Sequence, residues 1–234
     1  MIDNVLVFDA HDPAFVTEPR PDGNPRSRGL RITVVSPNSE RGAVLVLPGG
    51  KPRSDEPSRP WQLAHLRVAL LAWALRRRLG PGVEVRRVRY RLRGWNPGTL
   101  DAVRDATAAL DDLLARHRPE DVVVVGHSMG GRVAVHLAAP GRVGGVVALA
   151  PWWPAGDAGL LSVPCRLLTM HGTADTWTDP VAAQAQTREA AERGLDARWV
   201  PVSGAGHFLI RHYTRWHRET ADFVRECLSR RPAA

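Results

Sequence analysis

Four consecutive valines, Val122 to Val125, run directly into Gly126-His127-Ser128-Met129-Gly130-Gly131, and this segment constrains the fold more than any other. A short unbroken β-branched run reads as a strand buried on both faces, the kind found in parallel sheets covered by helices. Glycines two before and two after Ser128 permit a sharp strand-to-helix reversal, because a residue without Cβ lets backbone approach backbone. The small apolar run Val133-Ala134-Val135 then opens a helix. The pattern is that of a nucleophile elbow, which lifts a serine hydroxyl above the carboxyl edge of a sheet. A plain turn containing a serine is the simpler alternative, so the reading depends on what the other strand ends carry.

With 234 residues and 44% hydrophobic content, the chain can bury one sizeable core and suits a single α/β domain over residues 30–234. Residues 1–29 read as an irregular N-terminal segment of that domain with one candidate strand, Val5 to Phe8. Further strands are expected at Leu30–Val35, Ala43–Leu47, Val83–Tyr90, Val143–Leu149, Arg166–Met170 and Ala197–Val202, separated by turn formers such as Pro37 to Gly42. Leu63, Leu66, Leu70 and Trp73 recur at helical spacing from Trp61 until Gly80-Pro81 stops the run. Leu100, Val103, Thr107, Leu110 and Leu114 predict a second amphipathic helix with Thr99 as its N-cap. Helices are also expected over Pro180–Arg193 and Tyr213–Arg230. Strands alternating with helices predict a mostly parallel central sheet with helices on both faces. Ligands then gather at the carboxyl ends of the strands.

A serine is a poor nucleophile near neutral pH unless a base lies within hydrogen-bond reach and a third group orients that base. The strand at Arg166–Met170 runs into His171-Gly172-Thr173-Ala174-Asp175, placing a carboxylate past its end. The strand at Ala197–Val202 runs into Ser203-Gly204-Ala205-Gly206-His207-Phe208, placing a histidine in a glycine-rich loop. On Gly126-His127-Ser128-Met129-Gly130, His171-Gly172-Thr173-Ala174-Asp175 and Gly204-Ala205-Gly206-His207, in the order Ser, Asp, His, the chain resembles the α/β-hydrolase family from its first strands to its last helix. That resemblance implies that Ser128 attacks a carbonyl, that His207 takes and returns its proton, and that Asp175 fixes the tautomer of His207. It also implies an oxyanion hole of two backbone N–H groups, one from Met129 and one from Gly50. Gly50 lies in Leu47-Pro48-Gly49-Gly50-Lys51, which looks like the family's His-Gly segment with Pro48, a residue without an N–H, in the histidine position. Asp179 rivals Asp175 but reads better as the cap of the helix starting at Pro180. His127 is expected to pack near the elbow, and His171 to hydrogen bond within its loop.

Only 47 residues separate Ser128 from Asp175, and a helix and two strands must fit among them. Little remains for a lid, so the chain resembles compact, lid-poor members of the family with a more open site. Trp152 and Trp153 are candidate substrate-binding residues, against the alternative that one or both only pack their loop onto the core; Phe208 and Trp177 are weaker candidates for the same wall. Trp95 and Asn96 leave a strand toward the same edge. Lys51 and Arg53 could receive a carboxylate or phosphate tail, against the plainer reading of solvated loop charges.

The net charge of +8 raises the question of nucleic acid. The basic residues, however, lie at a helix end and along one strand without an interleaved stacking platform, so no nucleic-acid partner is expected. Cys165 and Cys227 are too few for a disulfide framework, and the histidines lack metal-ligand spacing, so no metal or cofactor is called for. Neither a signal peptide nor a membrane span is legible, which makes the expected location cytoplasmic without membrane attachment. The expected activity is hydrolysis of a small or medium carboxylic ester or thioester through an acyl-enzyme. An acyltransferase or pathway thioesterase with the same three residues is an alternative, as is a non-catalytic ligand-binding protein on the same fold. The partner is a small-molecule ester or thioester, and the sequence leaves the oligomeric state open.

Overall fold

The computed structural model describes residues 41–229 apart from 140 and 155; the strands expected at Val5–Phe8 and Leu30–Val35 lie outside that range. Among the described residues six strands, β1 (Ala43–Leu47), β2 (Glu84–Arg87), β3 (Val122–His127), β4 (Gly145–Leu149), β5 (Arg166–Gly172) and β6 (Ala197–Val202), form one sheet. Its order is β2-β1-β3-β4-β5-β6, and every pairing is parallel. The valine run explains the centre. Val122 and Val124 enter one core cluster, Val123 and Val125 the other, and all four are fully buried. Burial of such a side chain contributes about 1.5–3 kcal/mol, which only a strand covered on both faces can collect at every position.

Helices α1 (Leu63–Leu79) and α5 (Tyr213–Ser229) supply the cluster on one face. Helices α2 (Asp101–Leu114), α3 (Met129–Ala138) and α4 (Pro180–Glu192) supply the other. The chain runs outward from β1 to the edge strand β2, then returns to β3 on the opposite side of β1. The connections leaving β1 and β3 therefore diverge, and a crevice opens between them at the carboxyl edge. Among the described residues between β4 and β5 the only helical element is a single 3-10 turn, Asp157–Leu160, and they form no lid. No helix among the described residues is long and apolar enough to cross a membrane.

The structure corrects several local expectations. Helix α1 lies where its spacing predicts, but Leu63, Leu66, Leu70 and Trp73 are 67, 47, 63 and 58% exposed. Its buried face is Val68, Leu71, Ala72, Leu75 and Leu79 instead, packed toward β2 and α5. Both sets obey helical spacing, and only the neighbouring elements decide between them. Thr99 does not cap α2: Leu100 occupies the cap position with φ 50° and no side-chain bond is made there. Strand β2 ends at Arg87, because an edge strand has one partner and β1 supplies register only to Val46. Strand β4 starts at Gly145, two residues after the expected Val143. Strand β5 continues through His171 and Gly172, paired with Pro201 and Val202 of β6.

Candidate functional site

Ser128 sits between β3 and α3 with φ 57° and ψ −121°, a conformation that costs on the order of 1–3 kcal/mol and persists only where the surroundings impose it. They do so here. Its N–H donates to the Leu149 carbonyl at 3.0 Å, and its carbonyl accepts from Gly131 and Trp152 at 2.9 and 3.1 Å. A Cβ at Gly126 would stand 2.0 Å from the Gly130 carbonyl oxygen, and one at Gly130 would stand 2.5 Å from that of Leu47. Only glycine tolerates these approaches, which accounts for the spacing around the serine.

The three strand ends converge. Ser128 Oγ is 3.0 Å from His207 Nε2, and His207 Nδ1 is 2.8 Å from Asp175 Oδ2. The Asp175 side chain is wholly buried. Its Oδ1 accepts the backbone N–H groups of Trp177 and Thr178 at 2.8 and 3.1 Å. Its Oδ2 also accepts from Thr178 Oγ1 at 2.9 Å and from His171 Nε2 at 3.0 Å. Burial alone would raise the pKa of this carboxyl, but the hydrogen bonds from His171, His207, Trp177 and Thr178 outweigh it and hold the group well below the usual carboxylate range. Asp175 is thus an ionised acceptor surrounded by donors. Asp179 accepts from Val181 and Ala182 at 2.9 and 3.0 Å and caps α4.

Two histidines flank this group. The His127 ring is buried, and its Nε2–H donates to the main-chain carbonyl of His207 at 2.8 Å. Burial, reinforced by the neighbouring His207, pushes its pKa down to about 3, so the ring is neutral at physiological pH. His171 lies on β5 and bonds both Asp175 and Thr178, the latter at 3.1 Å. Sequence reasoning assigns His171 only a bond within its loop and passes over Thr178. The visible trace is the Asp175-x-x-Thr178 spacing, in which an aspartate accepts from the N–H groups two and three residues on.

The crevice at the carboxyl edge has two lobes that meet at Ser128. One, of about 230 Å³, is lined by Gly50, Met129, Trp152, Trp177, Thr178 and His207 among others. The other, of about 450 Å³, extends toward α1 and includes Leu63, Arg67, Arg93, Trp177 and Phe208. The expected amide donors, Met129 and Gly50, therefore border the same space as the Ser128 hydroxyl. Trp152 is half-buried and forms part of the smaller lobe. Phe208 lies edge-on to the His207 ring, with centroids 5.4 Å apart. Trp177 is exposed and stacks on His207 at 6.2 Å.

Trp153 is placed differently: it is buried and donates from Nε1 to the Gly131 carbonyl at 3.2 Å, under the elbow rather than on either lobe. Trp95 is likewise buried. Asn96 clamps the loop after β1, accepting from Ser54 N at 2.9 Å and donating to Asp101 at 3.0 Å. Lys51 is exposed and pairs with Glu56 at 3.6 Å, while Arg53 is exposed on the same loop.

The model of the alpha/beta hydrolase family matches residues 44–162. No curated protein matches the chain. Among solved structures, a thermophilic esterase, Est2, of Thermogutta terrifontis with butyrate bound superposes at TM-score 0.63 and 18% identity, over 86% of this chain and 89% of that one. Esterase PE8 gives TM-score 0.61 at 19% identity, over 81% and 94%. A serine hydrolase without lid from Xanthomonas campestris gives 0.60 at 22% identity, over 81% and 84%. At these identities the likeness is one of fold.

Proposed function

Since the chain belongs to the alpha/beta hydrolase family, we propose that it is a serine hydrolase cleaving a small or medium carboxylic ester or thioester through an acyl-enzyme. The observation that carries this reading is the unbroken line of contacts from Ser128 Oγ to His207 Nε2 and from His207 Nδ1 to Asp175 Oδ2, at 3.0 and 2.8 Å. In the proposed reaction, Ser128 Oγ attacks the substrate carbonyl carbon while His207 Nε2 accepts the hydroxyl proton. Asp175, ionised and fully hydrogen-bonded, holds Nδ1–H and stabilises the imidazolium. Negative charge on the carbonyl oxygen is met by the backbone N–H groups of Met129 and Gly50. His207 then protonates the departing alcohol or thiol. Water, deprotonated by the same ring, attacks the acyl-enzyme, and Ser128 recovers its proton as the acid leaves.

Two lobes meeting at one serine suit a substrate with an acyl arm and an alcohol arm. The butyrate held by the Thermogutta esterase fits a short acyl group, and the shortness of the β4–β5 connection, with no lid among its described residues, favours water as acceptor over a sequestered alcohol. A fluorophosphonate probe tests the reading directly. It should label the wild type at Ser128, spare Ser128→Ala, and accompany a fall in turnover on the order of 10⁶ in that variant. Equal labelling of both proteins defeats the assignment.

A further inference from the structure

The larger lobe carries three cationic side chains, Lys51, Arg67 and Arg93, and no carboxylate in its lining. Two of the three, Lys51 and Arg93, share one counter-ion, Glu56. No carboxylate among the described residues pairs with Arg67, although it is half-buried on the second turn of α1. Its guanidinium carbon instead lies 4.3 Å from the ring centroid of Phe208, the residue following His207. A cation taken partly out of water without a counter-ion is costly, and burial lowers the pKa of this guanidinium accordingly. Its position over Phe208 offsets part of that cost, and the side chain lines the lobe, where its N–H groups can meet an anion.

We infer that Arg67 is a recognition residue for an anionic group on the substrate, a carboxylate or phosphate carried on one arm of the scissile ester. The inference rests on the proposed hydrolase reading and deepens it by naming a substrate class, an ester of a compound bearing a second acid group. A planar guanidinium meets such a group bidentately, and the half-buried setting strengthens the contact over one in open water. Lys51 and Arg93 add positive potential along the same wall and raise the encounter rate of anionic molecules. Phe208 then serves twice, since it lies under the guanidinium as well as bordering His207. Substrate charge is thereby sensed beside the same loop that carries the proposed base.

Two pairs of esters test this, one for each arm. On the acyl side, 4-nitrophenyl hydrogen glutarate is compared with 4-nitrophenyl hexanoate; on the alcohol side, 4-carboxyphenyl butyrate is compared with phenyl butyrate. For at least one pair, Arg67→Gln should lower the charged-to-neutral ratio of kcat/KM about 10- to 100-fold, as expected for losing a charge-assisted contact. Arg67→Lys should recover part of that ratio. If both ratios stay within twofold of the wild type while fluorophosphonate still labels Ser128, the inference is overturned and the hydrolase reading stands. If wild-type protein neither hydrolyses the neutral esters nor takes up the probe, the hydrolase reading fails instead. The role of Arg67 is then decided by calorimetric titration with glutarate, where binding that is absent or equal in wild type and Arg67→Gln overturns it.

Discussion

The side chain of His127, immediately before the elbow serine, donates a hydrogen bond to the backbone carbonyl of His207, 2.8 Å away. The strand bearing the proposed nucleophile thus holds the loop bearing the proposed base. Replacing His127 with Ala removes that tie, and displacement of a reacting group by about 1 Å can cost 100-fold in rate. His127→Ala should therefore lower kcat about 10- to 100-fold with a smaller change in KM. His127→Gln, which keeps an N–H donor, should recover part of the loss in a steady-state assay.

The same ring sets a pH dependence of stability. Its folded-state pKa, about 3, lies below the value near 6.5 of an unfolded histidine, so the unfolded chain binds the proton more readily. Nothing is lost above pH 6.5, and stability declines as pH falls from there toward 3. Asp175, whose pKa is also depressed, adds its own loss only below about pH 4. Denaturant titrations at pH 7 and pH 5 should show a drop in wild-type unfolding free energy that is about 2 kcal/mol smaller in His127→Gln. An equal drop in both proteins contradicts the neutral, buried assignment.

Asp175 and Thr178 should separate by magnitude. Asp175→Asn keeps the shape but removes the charge that holds Nδ1–H of His207, and should lower kcat by about 10⁴. Thr178→Val removes one donor to Asp175 Oδ2 while His171, His207 and two backbone amides remain, so a loss nearer 10-fold is expected. A Thr178→Val loss as large as that of Asp175→Asn would mean that the hydroxyl, rather than the carboxylate, positions the ring.

The adjacent tryptophans give a contrast between core and cleft. Trp153→Ala empties a buried site and removes the Nε1–H bond to the Gly131 carbonyl, and should cost about 3–5 kcal/mol of stability. Trp152→Ala, at the wall of the smaller lobe, should cost less stability and raise KM for bulky esters. Thermal denaturation with substrate-length kinetics distinguishes the two.

How far these features can be read from the sequence follows their range. Ser128, Asp175 and His207 each follow a strand whose carboxyl end the residue pattern locates to within two residues, and a parallel sheet puts all such ends on one edge whatever the order of its strands. Glycines at 126 and 130 announce a close backbone approach that needs no tertiary knowledge. The buried face of α1 is not legible, because two apolar stripes compete there and α5, more than a hundred residues on, selects one of them. Arg67 is invisible for the same reason, as one of many arginines until Phe208 and the cleft surround it. His171 and Thr178 carry no local mark beyond one Asx-type spacing; their value comes from a shared oxygen of Asp175.

The elbow and the cleft differ in the substitutions they can accept. Around Ser128, main chain meets main chain, at Gly126 against Gly130 and at Gly130 against Leu47, so almost no substitution is open there. The walls, by contrast, hang from five separate connections: the segment after β1, Arg93 after β2, Trp152 after β4, Trp177 after β5 and Phe208 after β6. None of these walls belongs to a strand, although Arg67 and Trp177 both rest against Phe208 and tie three of them together. Directed evolution for new ester selectivity should accumulate its changes at those five connections, and spare the turn that all the resulting variants would have in common.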